Sequence, residues 1–289
     1  MWDLLWSILF SSLIFVVFKL FDTYNVSTFH AIIVNYVTAL GTGILLYEGA
    51  VKPAEVLSQS WVTGALFLGI LFIIIFNFMA RTSQRLGVSV ASIATKMSLV
   101  IPVVAGILLY SERLNGAQVC GIVLALAAVY LASLRENHRP ASHDLRVLYL
   151  PLVVFIGSGV IDTSIKYMQE TAVSSVEYPL FSAAIFGFAA LTGTGVLLLK
   201  QPGDLKRIRR KNLLGGIALG IPNYFSVFFL LKALQYKGLN SASVFTINNV
   251  SIVMLTTLLG ILLFRERLTW KNWMGVVLSI ASIVLVSIS

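Results

Sequence analysis

The sequence predicts an all-α integral membrane protein: ten transmembrane helices arranged as two inverted five-helix repeats. Three observations lead there. The chain is 58% hydrophobic and only 11% charged, with a mean hydropathy of +0.90, whereas a soluble domain carries about a quarter charged residues. A core of ordinary size cannot hide that much apolar surface, so the surroundings must themselves be apolar. Apolar runs of about 18 to 23 residues, enough for a helix to cross roughly 30 Å of hydrocarbon, recur along the whole chain. And the chain contains itself twice.

The runs fall near residues 3–21, 29–47, 61–80, 88–110, 116–134, 148–168, 178–199, 212–234, 241–264 and 271–288. The first has no basic head and no small-residue cleavage site, so it reads as a span and not as a signal peptide. Polar breaks separate the runs: Asp22 to Ser27, Glu48 to Ser60, Arg81 to Gly87 and Ser111 to Gly116 in the first half. A longer polar linker, residues 135–147, divides the chain into a first repeat, 1–134, and a second, 148–289. Strands are excluded by run length and by the lack of apolar–polar alternation.

The duplication is plainest in the last two helices of each half. With a constant shift of 154, Ser89 falls on Ser243, Ile93 on Ile247 and Gly106 on Gly260. Glu112-Arg113-Leu114 falls on Glu266-Arg267-Leu268, and Gly121 on Gly275. Earlier matches drift with loop length: Lys19 with Lys166 at 147, Gly41-Thr42-Gly43 with Gly193-Thr194-Gly195 at 152, Ala80 with Ala233 at 153. An odd number of helices per repeat makes the second half cross the membrane in the opposite sense, as transporters commonly do. Glu112 and Glu266, at tight helix-to-helix hinges, are expected to cap the following helix.

Loop charge sets orientation. The loops after the odd-numbered helices hold fourteen Lys and Arg residues, the run Lys206 to Lys211 among them, against three (Lys52, Arg113, Lys237) on the other side. This predicts cytoplasmic odd loops and both termini outside. It also accounts for the net charge of +9 without any nucleic acid partner. One cysteine and three histidines form no metal-ligand spacing, and no cofactor is expected.

Four lysines lie within the runs: Lys19, Lys96, Lys166 and Lys232. A charge at membrane depth costs at least about 2.5–3.5 kcal/mol, so each needs a partner, a snorkelling route or a wet cavity. Lys19, Lys166 and Lys232 sit near helix ends, where snorkelling competes with a place in a binding site. Lys96 lies about nine residues into the fourth run, roughly 12 Å along its axis, beside Ser89, Ser92 and Thr95. The duplicated helix offers Thr246, Asn248 and Asn249 at that depth and no charge. That asymmetry points to a central site with an anion-binding half and a hydrogen-bonding half. The competing reading is a structural tie between the halves.

Asp162 is the one acid deep in a run. Four residues before Lys166, it is placed either for an intrahelical ion pair or for coupling to a proton or cation. Asn35, Tyr36, Asn77, Asn223 and Tyr224 are further polar groups within runs, as interhelical ties or as substrate ligands. The segment Gly220-Ile221-Pro222-Asn223-Tyr224 would either pack as helix or unwind a turn toward a cavity.

Two five-helix halves, each closing with an apolar run, Glu-Arg-Leu and a Gly-containing last helix, resemble the EamA-like branch of the drug/metabolite transporter superfamily. Lys19 after an apolar first helix, and Ala233-Leu234-Gln235-Tyr236 after the third helix of a repeat, extend the likeness over nearly the whole chain. The resemblance implies inverted repeats around a central cavity and transport by alternating access of amino acids, nucleotide sugars, sugar phosphates or other metabolites. The chain departs from the family at Asn35, where a basic residue is common, and at Pro102, closer to the glutamate than usual. Lys96 is not a family-wide feature, so the resemblance does not name the substrate.

The expectation is a secondary transporter, not an enzyme, in a bacterial inner membrane, moving a small anionic or zwitterionic metabolite, with the lipid bilayer and a homodimer as the partners considered. Lys96 would hold the anionic group, with Asn77, Asn223, Tyr224, Asn248, Asn249, Lys19, Lys166, Ser92 and Thr246 around the remainder and Asp162 as a coupling group. A flippase for a lipid-linked sugar is the alternative within transport. An integral-membrane enzyme would want a nucleophile–base pair or a metal site near the interface, and the runs hold no deep histidine.

Overall fold

The computed structural model of the chain describes residues 2–47, 53–86, 94–110, 114–133, 149–200, 209–264 and 269–287. These residues fold as helices and connecting turns, with no strand among them. The first half contributes α1 (Trp2–Thr23), α2 (Thr28–Leu46), a short helix at Pro53–Leu57, α3 (Val62–Leu86), α4 (Val100–Tyr110) and α5 (Gly116–Ser133). The second contributes α6 (Tyr149–Thr171), α7 (Tyr178–Lys200), α8 (Arg210–Leu234), α9 (Ser241–Phe264) and α10 (Trp270–Ser287). Among the described residues, six helices are long and apolar enough to cross a membrane: α1, α2, α3, α6, α7 and α8. The polar linker, Ser92 and both Glu-Arg pairs, Glu112-Arg113 and Glu266-Arg267, lie outside the described residues.

The compact units are not the sequence repeats. One unit comprises residues 1–76 and 164–233, the other 77–163 and 234–289, so each draws helices from both halves. Within them, helices pack on their own duplicates. In the first unit α2 runs along α7; in the second α5 runs along α10 and α4 meets α9.

In the first unit α2 is central, with residues Ala31 through Tyr36 buried without a gap. Small residues let its neighbours close in. A Cβ on Gly220 would stand 2.6 Å from the carbonyl oxygen of Asn35, so α8 approaches α2 backbone to backbone. α1 leads into α2 through a turn built for its sequence. Val26 N–H reaches the Phe21 carbonyl at 2.9 Å and Tyr24 N–H the Leu20 carbonyl at 2.9 Å, with Asn25 at φ 50°. This is a Schellman-type stop, and asparagine is among the few residues that accept the left-handed conformation. On the way into α7, Ser174 and Glu177 form a reciprocal capping box, and the same glutamate accepts from Trp61 Nε1 at 3.2 Å.

In the second unit the core gathers Leu99, Val103, Ile122 and Ala242, with Leu114 and Leu126 against it. Ser282 on α10 donates to the Gly121 carbonyl on α5 at 2.7 Å. The cap of α5 is a reciprocal pair: Asn115 Oδ1 accepts from Gln118 N–H at 2.8 Å and Gln118 Oε1 from Asn115 N–H at 3.1 Å. Asn240 does the same for α9, accepting from Ser243 N–H at 2.8 Å. The cap expected of Glu112 itself falls outside the described residues. Leu108 and Leu262, equivalent in the two repeats, are 76% and 66% exposed. Those are positions for lipid, not water.

Two prolines within helices behave differently from each other. The fourth predicted helix was expected to be continuous over 88–110, but residues 94–97 are helical, Ser98 and Leu99 form a turn, and α4 begins at Val100. Pro102 is the cause. It has no N–H to give the Ser98 carbonyl, and its ring crowds that oxygen. The ladder tightens instead, with Ile101 N–H reaching Ser98 O at 2.9 Å and Leu99 N–H stretching 3.4 Å to Lys96 O. Pro222, where unwinding was one of the two readings, sits inside an unbroken α8. There the close packing of Gly216 and Gly220 against α2 holds the turns that precede the ring.

Candidate functional site

The break falls two residues after Lys96. Lys96 is 7% exposed, and its Nζ donates to Asn249 Oδ1 of α9 at 3.3 Å. That contact orients the amide, since only the oxygen can accept from an ammonium. Asn249 Nδ2 is left buried, with no partner among the described residues, and so is Asn248 Oδ1. Thr246 is spent locally, donating to the Ala242 carbonyl at 2.7 Å.

Asp162 completes the group. The spacing pointed to Lys166 as its ion-pair partner, but the cation acting on Asp162 is Lys96. Lys166 turns the other way along α6 and engages Glu170, with Gln169 at 3.5 Å. Helix packing explains the exchange. Gly159, one turn before Asp162, presses α6 onto the interrupted helix: a Cβ there would lie 2.6 Å from Ile101 Cβ. Sequence spacing sees only neighbours along one helix, whereas this glycine brings a second helix closer.

The remaining predicted residues are described each within its own unit. Asn77, in the same unit, is half-buried on α3. In the other unit Asn223 Nδ2 donates to Asn35 Oδ1 at 3.1 Å, an interhelical tie between α8 and α2. Tyr224 is fully buried, stacks on Phe228 with centroids 5.8 Å apart, and donates to the Pro179 carbonyl at 3.4 Å. Tyr36, also fully buried, stacks on Phe186 at 6.0 Å, and its hydroxyl has no partner among the described residues. Lys19 is half-buried on α1. Lys232 is exposed with its Nζ 4.7 Å over the Phe228 ring, as a snorkelling lysine would be. Glu170 and the break at Ser98 were missed from sequence. Pro102 carried the signal for the second.

Three helices thus pack on their own duplicates, α2 on α7, α4 on α9 and α5 on α10, and Lys96 is buried beside a helix break. The EamA-like transporter family matches residues 2–134 and again residues 146–288. The chain belongs to that family. It is thereby a multi-pass membrane protein of the drug/metabolite transporter type, in a family of transporters and not of enzymes. It is similar to an uncharacterized protein of Haemophilus influenzae, 28% identical over 287 residues, covering 98% of this chain and 96% of the relative. A crystal structure shares the fold, with a TM-score of 0.72 and 16% identity over 99% of this chain and 95% of the other.

Proposed function

We propose that this member of the EamA-like family is a secondary transporter that carries a small polar metabolite bearing a carboxylate or phosphate across a bacterial inner membrane. Its ten helices would all cross the bilayer, with the odd loops cytoplasmic, and the cycle would be alternating access. The observation that carries the reading is Lys96: an ammonium buried at a helix break, held at 3.3 Å by Asn249. A lysine kept only for stability is poorly placed there, because an apolar residue would avoid its desolvation altogether. The free Asn249 Nδ2 and Asn248 Oδ1 offer a donor and an acceptor to the rest of the substrate.

The test is a thermal-shift screen of the purified chain against small anions, zwitterions and cations, run beside Lys96→Gln. A ligand at a hundred times its Kd adds about 2.7 kcal/mol of apparent stability. Anions or zwitterions should stabilise the native chain and not the variant, and the same compounds should be taken up by reconstituted vesicles. Equal stabilisation of both proteins by cations or neutral compounds would make Lys96 a structural tie.

A further inference from the structure

This inference rests on the anion-carrier reading above and concerns what travels with the anion. We infer that Asp162 is a displaceable counter-ion of Lys96, and that a monoanionic substrate is carried together with one proton held by Asp162.

The geometry supplies the parts. Lys96 comes from the interrupted helix, Asn249 from α9 and Asp162 from α6, and the close approach at Gly159 and Ile101 sets α6 against the break. The groups around Asp162 leave it few other partners. On α6 itself the next charge is Lys166, engaged with Glu170. At this depth α9 contributes the amides Asn248 and Asn249 and the hydroxyl Thr246, none of which titrates. Among the described residues, Lys96 is the cation that acts on Asp162.

An arriving carboxylate competes with Asp162 for that ammonium. Two anions then share one buried cation, and an uncompensated charge in such surroundings is relieved most cheaply by protonation. The proton comes from the aqueous side that delivered the substrate. It adds to a carboxylate oxygen of Asp162, and no other bond is made or broken. When the substrate leaves on the far side, Lys96 recovers Asp162 and the proton departs there. The complex that crosses has gained one negative and one positive charge, so transport of a monoanion is electroneutral. A zwitterion brings its own ammonium to Asp162 and needs no proton.

The experiment uses the full chain in liposomes loaded with a pH-sensitive dye. The probes are radiolabelled gluconate and glucuronate as monoanions and L-alanine as the zwitterion. Each anion carried by the native protein should acidify the lumen by one proton per molecule, and alanine by none. Asp162→Asn should still exchange labelled anion for unlabelled, without proton movement, while Asp162→Glu keeps the coupling. Anion uptake without acidification would overturn the inference and leave the transporter reading standing, as would proton flux through Asp162→Asn equal to the native rate. If no anion is carried, the anion reading of Lys96 falls, and this inference with it. The native proton count decides the matter even if Asp162→Asn fails to fold.

Discussion

Gly159→Ala tests how α6 reaches the Lys96 site. The added methyl would stand 2.6 Å from Ile101 Cβ and 2.9 Å from Ile101 Cγ1, where carbon atoms prefer about 3.5–4.0 Å. The nearest backbone-anchored obstacle is a β-carbon, which no rotamer change moves aside. The two helices must therefore part by about 1 Å. Overpacking of this kind costs about 1–3 kcal/mol, and in a chain of this length that lowers the melting temperature by several degrees. Asp162 lies one turn away and retreats with the helix, so anion binding at Lys96 changes as well as stability. The assay is thermal denaturation of the purified protein as a double-mutant cycle with Ile101→Ala, which removes two of the three atoms the methyl would meet. The pair should be more stable than the summed single losses by about 0.5–2 kcal/mol. A Gly159→Ala protein that melts with the native one would refute the proposed packing of α6.

Two further outcomes follow from the proline break and the buried amide pair. Pro102→Ala restores an N–H that can reach the Ser98 carbonyl, so hydrogen exchange should slow across Leu99 to Val103 and thermal stability should hold or rise, while transport falls; faster exchange there would mean that the proline does not cause the break. Asn223→Ala strands the Asn35 amide in a fully buried position and should cost about 1–3 kcal/mol, with Asn35→Ala added to it costing less than its own single loss. Strictly additive melts would show that the two amides are not partners.

What the sequence discloses here is what lies along one helix or repeats at a fixed offset. The apolar runs, the duplication and the depth of Lys96 are of that kind, and the structure has a helix in each run and a buried lysine where depth required one. Partners across helices are a different matter. Spacing along α6 pointed Asp162 at Lys166, an arrangement worth only about half a kcal/mol even when it forms, and tertiary packing through Gly159 overrode it. Neither are the compact units legible, because a repeat in sequence says nothing about which surface of one copy lies against the other. The two prolines show the same limit. Both break the same local rule, and only the packing around them, close at Gly216 and Gly220, decides that α8 continues and the helix at Lys96 does not.

The duplication itself gives a reason for the asymmetry at the site. In the 154 register Thr95 is the counterpart of Asn249 and Lys96 of Val250, so the 3.3 Å bond from Lys96 to Asn249 joins positions one residue apart in the repeat. The two helices meet at equivalent levels, as they would at a two-fold axis, where each side chain faces its own copy. A site made of identical subunits could not place a lysine there without setting it against a second lysine, and two buried ammonium groups side by side repel. Once the two copies lie on one chain, each can change alone: one keeps the cation and the proline break, while the other supplies an amide on an unbroken helix. The ammonium of Lys96 and the amide of Asn249 therefore come from the two copies of one helix, and in the proposed carrier the positions where the copies differ would be the ones that select the substrate.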